Sequence, residues 1–346
     1  MPRSRTRSIA AAAALTASML APAAAQATLV YVRNPNKPVV WIAQNNGSQA
    51  HKLAQGSTPR VTPNGSVVVY ENAPTSGGNY TPKLMVTPAA GGSSRTLATG
   101  WRNPFVFAFS PDSSTIATVL GPEIGSEQLV LINLETGVQR TVAKGYFSAV
   151  SFSPDGTQIV YGRSASERYP QSSDIYQASV SGGAPVAITH DHHSLSPLWG
   201  PNGKIAFVKQ LEAKQRLYGP KNELYLMSES GGSVKRLTHT KVAPLLQGLT
   251  PTQWSANGTR LLAEFGGEDT SYAVTVNPSS GAQHRPGSGQ IGLGFVGDAL
   301  SADGSTILGS TGGFEPGPGH NVVTVPYGGG KPTVLARNAY EPDWNR

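Results

Sequence analysis

The chain contains no cysteine among its 346 residues. This absence excludes disulfide bridges, so the fold must be stable without covalent links. Charged residues are scarce at 14%, whereas glycine (40) and proline (27) are abundant. This composition is typical of many short elements joined by turns, and not of long helices. After the first 27 residues, no apolar run has the length of a membrane-spanning helix.

The N-terminal 27 residues have the pattern of an export signal. Arg3, Arg5 and Arg7 precede an apolar run from Ile9 to Leu20, which is too short to cross a bilayer. Ala25-Gln26-Ala27 supplies the small residues of a cleavage site. We therefore expect cleavage near Ala27, a signal peptide at residues 1–27, a single domain at residues 28–346, and a periplasmic or secreted protein.

The formal charge of +7 is smaller in the mature chain. Three of the 27 basic residues lie in the signal and none of the 20 acidic ones does, which leaves 24 basic residues against 20 acidic ones. This balance gives no basis for nucleic-acid binding. We therefore expect no nucleic-acid partner and no transmembrane segment.

A turn motif recurs along the whole mature chain. The stretch SFSPDGTQIVYG at Ser151 joins an apolar residue, a small residue, Pro-Asp-Gly and a β-rich run. Related stretches begin five more times, at roughly 40–55 residue intervals, the spacing of a four-stranded propeller blade. Their first residues are Val61, Phe109, Trp199, Trp254 and Leu300.

The two ends of the chain contain complementary parts of one more repeat. Residues 29–55 match the second, third and fourth strands of a unit, and Pro342-Asp343-Trp344 matches its first strand. The sequence therefore predicts an all-β fold, a seven-bladed β-propeller of four-stranded antiparallel blades. The C-terminal strand would close it by pairing with the N-terminal strands, and thereby protect the sheet edges.

The repeated SPDG turn, preceded by an aromatic residue and followed by a strand, resembles the TolB-type β-propeller over residues 28–346. This resemblance implies the propeller fold. It also implies two kinds of activity, because TolB contacts envelope components, whereas some TolB-like propellers are metal-dependent lyases of pectate oligomers. The lyases hold their metal with histidines and a glutamine from separate blades.

The carboxylate of Asp155, within the SPDG stretch, is either a catalytic group or a turn residue. Asn64, Asn202 and Asn257 occupy the equivalent position in other repeats. An amide cannot act as a carboxylate base, but it can accept hydrogen bonds from turn amides as a carboxylate does. The sequence therefore favours a structural role for Asp155.

A histidine-rich segment is the main candidate for metal chemistry. His190, His192 and His193 flank Asp191 in a loop between two predicted strands, and imidazole and carboxylate groups are suitable ligands for a divalent metal. Against this, ITHD ends a blade in the same way as RLTHT at Arg236. We keep as an alternative function a metal-dependent lyase or hydrolase that acts on acidic oligosaccharides at the channel mouth.

Variable loops follow the second strand of each predicted blade, and several carry basic and aromatic side chains. Such side chains anchor many interfaces. The sequence favours a monomeric, non-catalytic binding or scaffold propeller, without a cofactor, that engages an envelope protein or an anionic polysaccharide. The predicted partner-binding residues are Trp101, Arg102, Arg163, Arg168, Tyr169, Lys214, Arg216 and Tyr218.

Overall fold

The computed structural model describes ten segments of the chain: residues 28–72, 81–101, 106–121, 125–164, 172–211, 220–243, 246–267, 270–287, 294–312 and 319–345. These segments form strands and turns, and none of their residues is helical. The all-β class predicted from the sequence is therefore confirmed. The predicted signal peptide, residues 1–27, lies outside the described residues.

The described residues contain 27 strands. The first nine are β1 (Thr28–Arg33), β2 (Val39–Gln44), β3 (His51–Val61), β4 (Val67–Asn72), β5 (Lys83–Pro88), β6 (Arg95–Thr99), β7 (Phe107–Phe109), β8 (Thr115–Leu120) and β9 (Gln128–Asn133). The next nine are β10 (Gln139–Lys144), β11 (Tyr146–Phe152), β12 (Gln158–Ser164), β13 (Ser173–Ser179), β14 (Val186–Ala187), β15 (Ser194–Trp199), β16 (Lys204–Leu211), β17 (Lys221–Ser228) and β18 (Lys235–Arg236). The last nine are β19 (Leu246–Trp254), β20 (Leu261–Gly267), β21 (Ser271–Val276), β22 (Gln283–His284), β23 (Val296–Leu300), β24 (Thr306–Ser310), β25 (Asn321–Pro326), β26 (Thr333–Arg337) and β27 (Ala339–Trp344).

The strands form five sheets, and almost all neighbouring strands are antiparallel. Three sheets have four strands each: β7–β10, β11–β14 and β23–β26. Strands β15–β22 form a larger sheet, in which a parallel bridge between Asn222 and Gly248 links two four-stranded halves. The fifth sheet has the order β27-β1-β2-β3-β4-β5-β6, so the C-terminal strand lies beside the first strand. None of the described sheets closes on itself.

The sheets pack face to face, because their central strands are apolar on both faces. In β12, Ile159 and Tyr161 belong to one core cluster with residues of the preceding sheet, such as Leu129. Val160, which points to the opposite face, packs instead with Trp199 of the following sheet. Alternate residues of one strand therefore contribute to two different cores. The core is thus divided into layers between successive sheets.

The first strands of successive sheets are linked by side chains that accept hydrogen bonds from the next backbone. The Ser151 Oγ accepts from the Trp199 amide at 3.0 Å, and the Gln253 Oε1 accepts from the Leu300 amide at 2.7 Å. At these strands the backbones are not paired with each other, so polar side chains satisfy the amides. The strands β3, β7, β11, β15, β19, β23 and β27 are called the inner strands below.

Candidate functional site

Charged side chains from separate sheets converge among the inner strands. They form a group that we call the charge cluster: Arg60 (β3), Glu264 (β20), Asp298 (β23), Glu341 and Asp343 (β27). The Glu341 Oε2 accepts a hydrogen bond from the Thr58 amide at 2.7 Å, and the Asp343 Oδ2 accepts one from the Val61 amide at 2.9 Å. These two carboxylates therefore join β27 to β3 while they contribute negative charge.

The surroundings of Asp298 favour its protonated form. Burial raises the pKa of the Asp298 carboxyl to about 8, and the nearby carboxylates of Glu264, Asp343 and Glu341 add to the rise, while Arg60 opposes it. The Asp298 Oδ2 lies 3.5 Å from the Ser310 Oγ. A carboxyl group whose pKa lies near neutrality can exchange a proton at physiological pH, and such groups occur preferentially at functional sites.

Glu341 and Arg60 occupy unusual positions in the charge cluster. Burial raises the pKa of Glu341, against the lowering effects of the Thr58 amide and Arg60, and Glu71 contributes to the rise. The Glu341 backbone is left-handed, with a φ of 50°. The Arg60 guanidinium stacks 4.9 Å from the Phe107 ring centroid, and among the described residues it forms no ion pair within 4.0 Å. Among the described residues, the Arg60 charge is therefore not paired with a single carboxylate.

The charge cluster was not predicted from the sequence. A usable indication was present, because Arg60 and Asp343 each stand one residue before a repeat marker, Val61 and Trp344, and Asp298 stands two before Leu300. Charged residues are rarely buried without a partner, so buried charges such as Asp298 are unexpected without a role. Arg60 and Asp343 thus occupy equivalent places in different repeats.

The histidine-rich segment is organised by hydrogen bonds. The His192 Nδ1 lies 2.7 Å from the Asp174 Oδ2, and the His192 amide donates to the Asp174 Oδ1 at 3.1 Å. The Asp174 side chain is 10% exposed and the His192 side chain 72%. The Thr189 hydroxyl also donates to the Asp174 Oδ1. Asp174 thus fixes the loop that begins the next sheet, and one imidazole nitrogen of His192 is used for that purpose.

Asp191 is also occupied by neighbouring groups. Although burial alone would raise the pKa of the Asp191 carboxyl, hydrogen bonds from Lys209, the His193 amide and Ser194 lower it overall. The Lys209 Nζ lies 2.7 Å from the Asp191 Oδ2. Among the described residues, no group of three or more His, Cys, Asp or Glu is arranged to hold a metal ion. The structure therefore does not bring His190, His192 and His193 together as a ligand set.

In the next repeat, the buried carboxylate of Glu223 has the role that Asp174 has here, and its charged partners are a lysine and an arginine. Glu223 is fully buried, and its carboxylate lies 2.5 Å from the Lys221 Nζ and 3.1 Å from an Arg236 nitrogen. It also accepts hydrogen bonds from the Thr238 hydroxyl and the Thr240 amide. Since Thr189 and Thr238 occupy the same place in ITHD and RLTHT, these motifs serve to close a blade.

Of the eight predicted partner-binding residues, Trp101 and Arg163 are among the described residues. Trp101 is 2% exposed, and its Nε1 donates to the Thr118 Oγ1 at 2.8 Å. It is a core residue rather than the predicted exposed anchor, because it packs in an apolar cluster with β8 and β9. Arg163 is half-buried, with its guanidinium 5.6 Å from the Tyr176 ring centroid. The others lie outside the described residues: Arg102, Arg168, Tyr169, Lys214, Arg216 and Tyr218.

The SPDG turn has the structural role predicted for it. The Asp155 Oδ1 accepts hydrogen bonds from the Ser153 hydroxyl, the Thr157 amide and the Thr157 hydroxyl. Asn257 accepts the corresponding three bonds in its own repeat. Gly156 has a φ of 71°, which a glycine adopts without strain. The carboxylate of Asp155 therefore stabilises the turn, as the amide of Asn257 does in its own repeat.

Solved structures with a similar fold include proteins of different activities. TolB from Acinetobacter baumannii is 15% identical, with a TM-score of 0.53, and the match covers 93% of this chain and 67% of that one. A puromycin-hydrolyzing peptidase from Mycobacterium tuberculosis is 18% identical (TM-score 0.62; 91% and 54% covered), so the chain spans about half of that enzyme. An oligogalacturonate lyase from Vibrio parahaemolyticus is 14% identical (TM-score 0.55; 90% and 85% covered). At these identities the similarity shows the fold alone.

The sequence itself also matches a known family. No curated protein matches the chain, and no described helix is long and apolar enough to span a membrane. The model of the TolB beta propeller domain, however, matches residues 20–241, more than half of the sequence. The recurring SPDG turns, the antiparallel sheets and this match lead to one assignment. The chain belongs to the TolB β-propeller family.

Proposed function

We propose that this chain is an exported, non-catalytic β-propeller that binds a protein of the bacterial cell envelope through its inner strands and the loops beside them. The charge cluster is the observation on which this proposal rests. Three acidic side chains, Glu264, Glu341 and Asp343, act on Asp298 there together with a single cation, Arg60, and such an excess of acidic groups repels anionic polymers while it attracts a basic group of a partner. A protein partner is therefore preferred to an anionic polysaccharide.

The proposed architecture is a single domain at residues 28–346 with seven blades. Six runs of strands would form six blades, and β27 with β1, β2 and the first half of β3 would form the seventh. This division is supported by the register, since β3 pairs with β2 up to Gln55 and with β4 from Gly56 onward. The Glu341 and Asp343 bonds to β3 support closure between the seventh blade and the first.

The proposed location is the periplasm or the extracellular medium. It rests on the sequence pattern of residues 1–27, with cleavage near Ala27. The test is to compare the molecular mass of the protein purified from the periplasm with that of the full chain. A mass that retains residues 1–27 would contradict export by this route.

The binding proposal is tested with a variant that removes two acidic groups but keeps their hydrogen-bond acceptors. Asp298→Asn combined with Glu341→Gln leaves an amide oxygen for the Thr58 amide. Immobilised wild-type protein is expected to capture a partner saturably from an envelope extract, and the double variant to bind that purified partner at least about tenfold more weakly. Asp303→Asn, in an SPDG-type turn, is the control and is expected to bind like wild type.

Two outcomes would contradict the protein-binding proposal. One is the absence of any saturable protein partner, and the other is equal affinity for the wild type and the double variant. A third measurement distinguishes the enzymatic alternative, a metal-dependent lyase or hydrolase at His190, His192 and His193. Stoichiometric metal by elemental analysis, together with cleavage of acidic oligosaccharides that His192→Ala abolishes, would support that alternative instead.

A further inference from the structure

A cleft of about 500 Å³ lies between two neighbouring sheets at the end of the molecule that carries the SPDG turns. One wall is formed by the turn and strands around Gln158 and Gln177, and the other by Trp199 and the turn at Glu229 and Ser230. This volume is within the range of small-molecule sites in proteins. The cleft is separate from the charge cluster, because none of the residues that line it belongs to that cluster.

Two glutamine side chains face the next sheet at the point where the apolar core ends. Gln177 is directly opposite Val160 in the register of β12 and β13, and Gln158 is two residues from Val160 on the same face. Val160 packs in the core with Trp199. Neither glutamine amide has a hydrogen-bond partner among the described residues, so each is available for a donor and an acceptor from a ligand.

The opposite wall adds a carboxylate and an indole. The Glu229 side chain is exposed and forms no ion pair or hydrogen bond with the described residues. Trp199 is 7% exposed, and its Nε1 has no partner among the described residues. Trp254 and Trp344 stand at the same place in other repeats, and their Nε1 atoms donate to the carbonyls of Leu198 and Leu300. Because the Trp199 Nε1 is itself buried, the indole contributes to the cleft with its ring and not with its N–H.

The polar side chains that line the cleft indicate which class of ligand it can bind. Two primary amides and one carboxylate can bind neighbouring hydroxyl groups, each of which donates and accepts. The carboxylates of Glu229 and Asp155 give the cleft negative charge, which disfavours acidic ligands. Each amide also presents an N–H donor, which the hydroxyl oxygens of a sugar can satisfy. We propose that this cleft is a binding site for a neutral oligosaccharide.

The test is a titration of the mature protein with three neutral probes, namely cellotetraose, maltotetraose and chitotetraose. Binding is measured by calorimetry and by tryptophan fluorescence. At least one probe is expected to bind saturably, with a fluorescence change because Trp199 lines the cleft. Gln177→Ala and Glu229→Ala are each expected to weaken binding by up to about tenfold, since each loses a hydrogen bond to the ligand. Both side chains are at the surface of the cleft, so the variants should fold.

Glu135→Ala is the matched control, because Glu135 is an exposed acid in the equivalent turn of another repeat. It is expected to bind the probe with unchanged affinity. The proposal is overturned if none of the three probes binds saturably, or if the Gln177 and Glu229 variants bind as tightly as wild type. An equal loss of affinity in Glu135→Ala would also overturn it, since the effect would then not be specific to the cleft.

Discussion

Asp298 and Asp303 illustrate how position determines the behaviour of the same side chain. The pKa of Asp303 is lowered to about 2, mainly because the Ser301 hydroxyl and the Ser305 amide donate hydrogen bonds to its carboxylate. The pKa of Asp298 is raised to about 8, mainly by burial. The first residue stabilises a turn in its charged form, whereas the second is favoured in its neutral form. Only the second is therefore expected to respond to pH near neutrality.

Replacing Asp298 by Asn is expected to stabilise the protein at alkaline pH. Because the folded-state pKa is raised, the contribution of Asp298 to stability is fully present below its unfolded pKa of about 4. That contribution is lost as the pH rises through about 8. Asp298→Asn should therefore raise the Tm by about 2–4 °C at pH 8.5 and leave it nearly unchanged at pH 4. The measurement is a thermal melt of each protein at both pH values.

Asp303→Asn is the control for that experiment, because the pKa of Asp303 is shifted in the opposite direction from that of Asp298. Its lowered pKa means that its contribution is present at neutral pH and is lost only as the pH falls from about 4 towards 2. The Tm at pH 8.5 should consequently stay close to wild type, since the amide retains the acceptor oxygen. Equal Tm values for wild type and Asp298→Asn at pH 8.5 would contradict the assignment of Asp298 as a destabilising charge.

At the scale of the elements, the SPDG turn is expected to tolerate an amide but not the loss of the acceptor. Asp155 and Asn257 accept the same set of hydrogen bonds. Asp155→Asn should therefore melt close to wild type at pH 7, and Asp155→Ala clearly lower, because the turn amide and hydroxyls lose their acceptor. Differential scanning calorimetry would compare the two variants. A lower Tm for the Asn variant than for the Ala variant would refute the structural role.

Elements made by local chemistry were predictable from the sequence, and assemblies of distant residues were not. The SPDG turn depends on residues within five positions, so its pattern and its structure coincide. The charge cluster joins Arg60 to Glu341 and Asp343 across nearly the whole chain, and no local pattern marks such a meeting. The burial of Trp101 has the same origin, because it depends on β8 and β9 rather than on its neighbours in sequence.

At the scale of the whole molecule, the two ends of the described chain lie together. The Thr28 amide donates to the Asn345 Oδ1 at 2.7 Å, and the Asn345 amide donates to the Thr28 carbonyl at 3.1 Å. Tyr340 and Trp344 of β27 are each 6% exposed, so the C-terminal strand also contributes to the core. The terminal residues are therefore structural, although termini are usually frayed.

Deleting residues 340–346 is accordingly expected to destabilise the protein severely. The deletion removes two buried aromatic side chains, each of which contributes about 3–5 kcal/mol when truncated in a core. It also removes the acceptors of the Thr58 and Val61 amides. A circular permutant of residues 28–346, joined by a short glycine linker and opened between Thr136 and Gly137, keeps all of these contacts. It should melt within a few degrees of the mature protein, whereas the deletion variant should melt far lower or fail to fold; a deletion variant with an unchanged Tm would refute the structural role of β27.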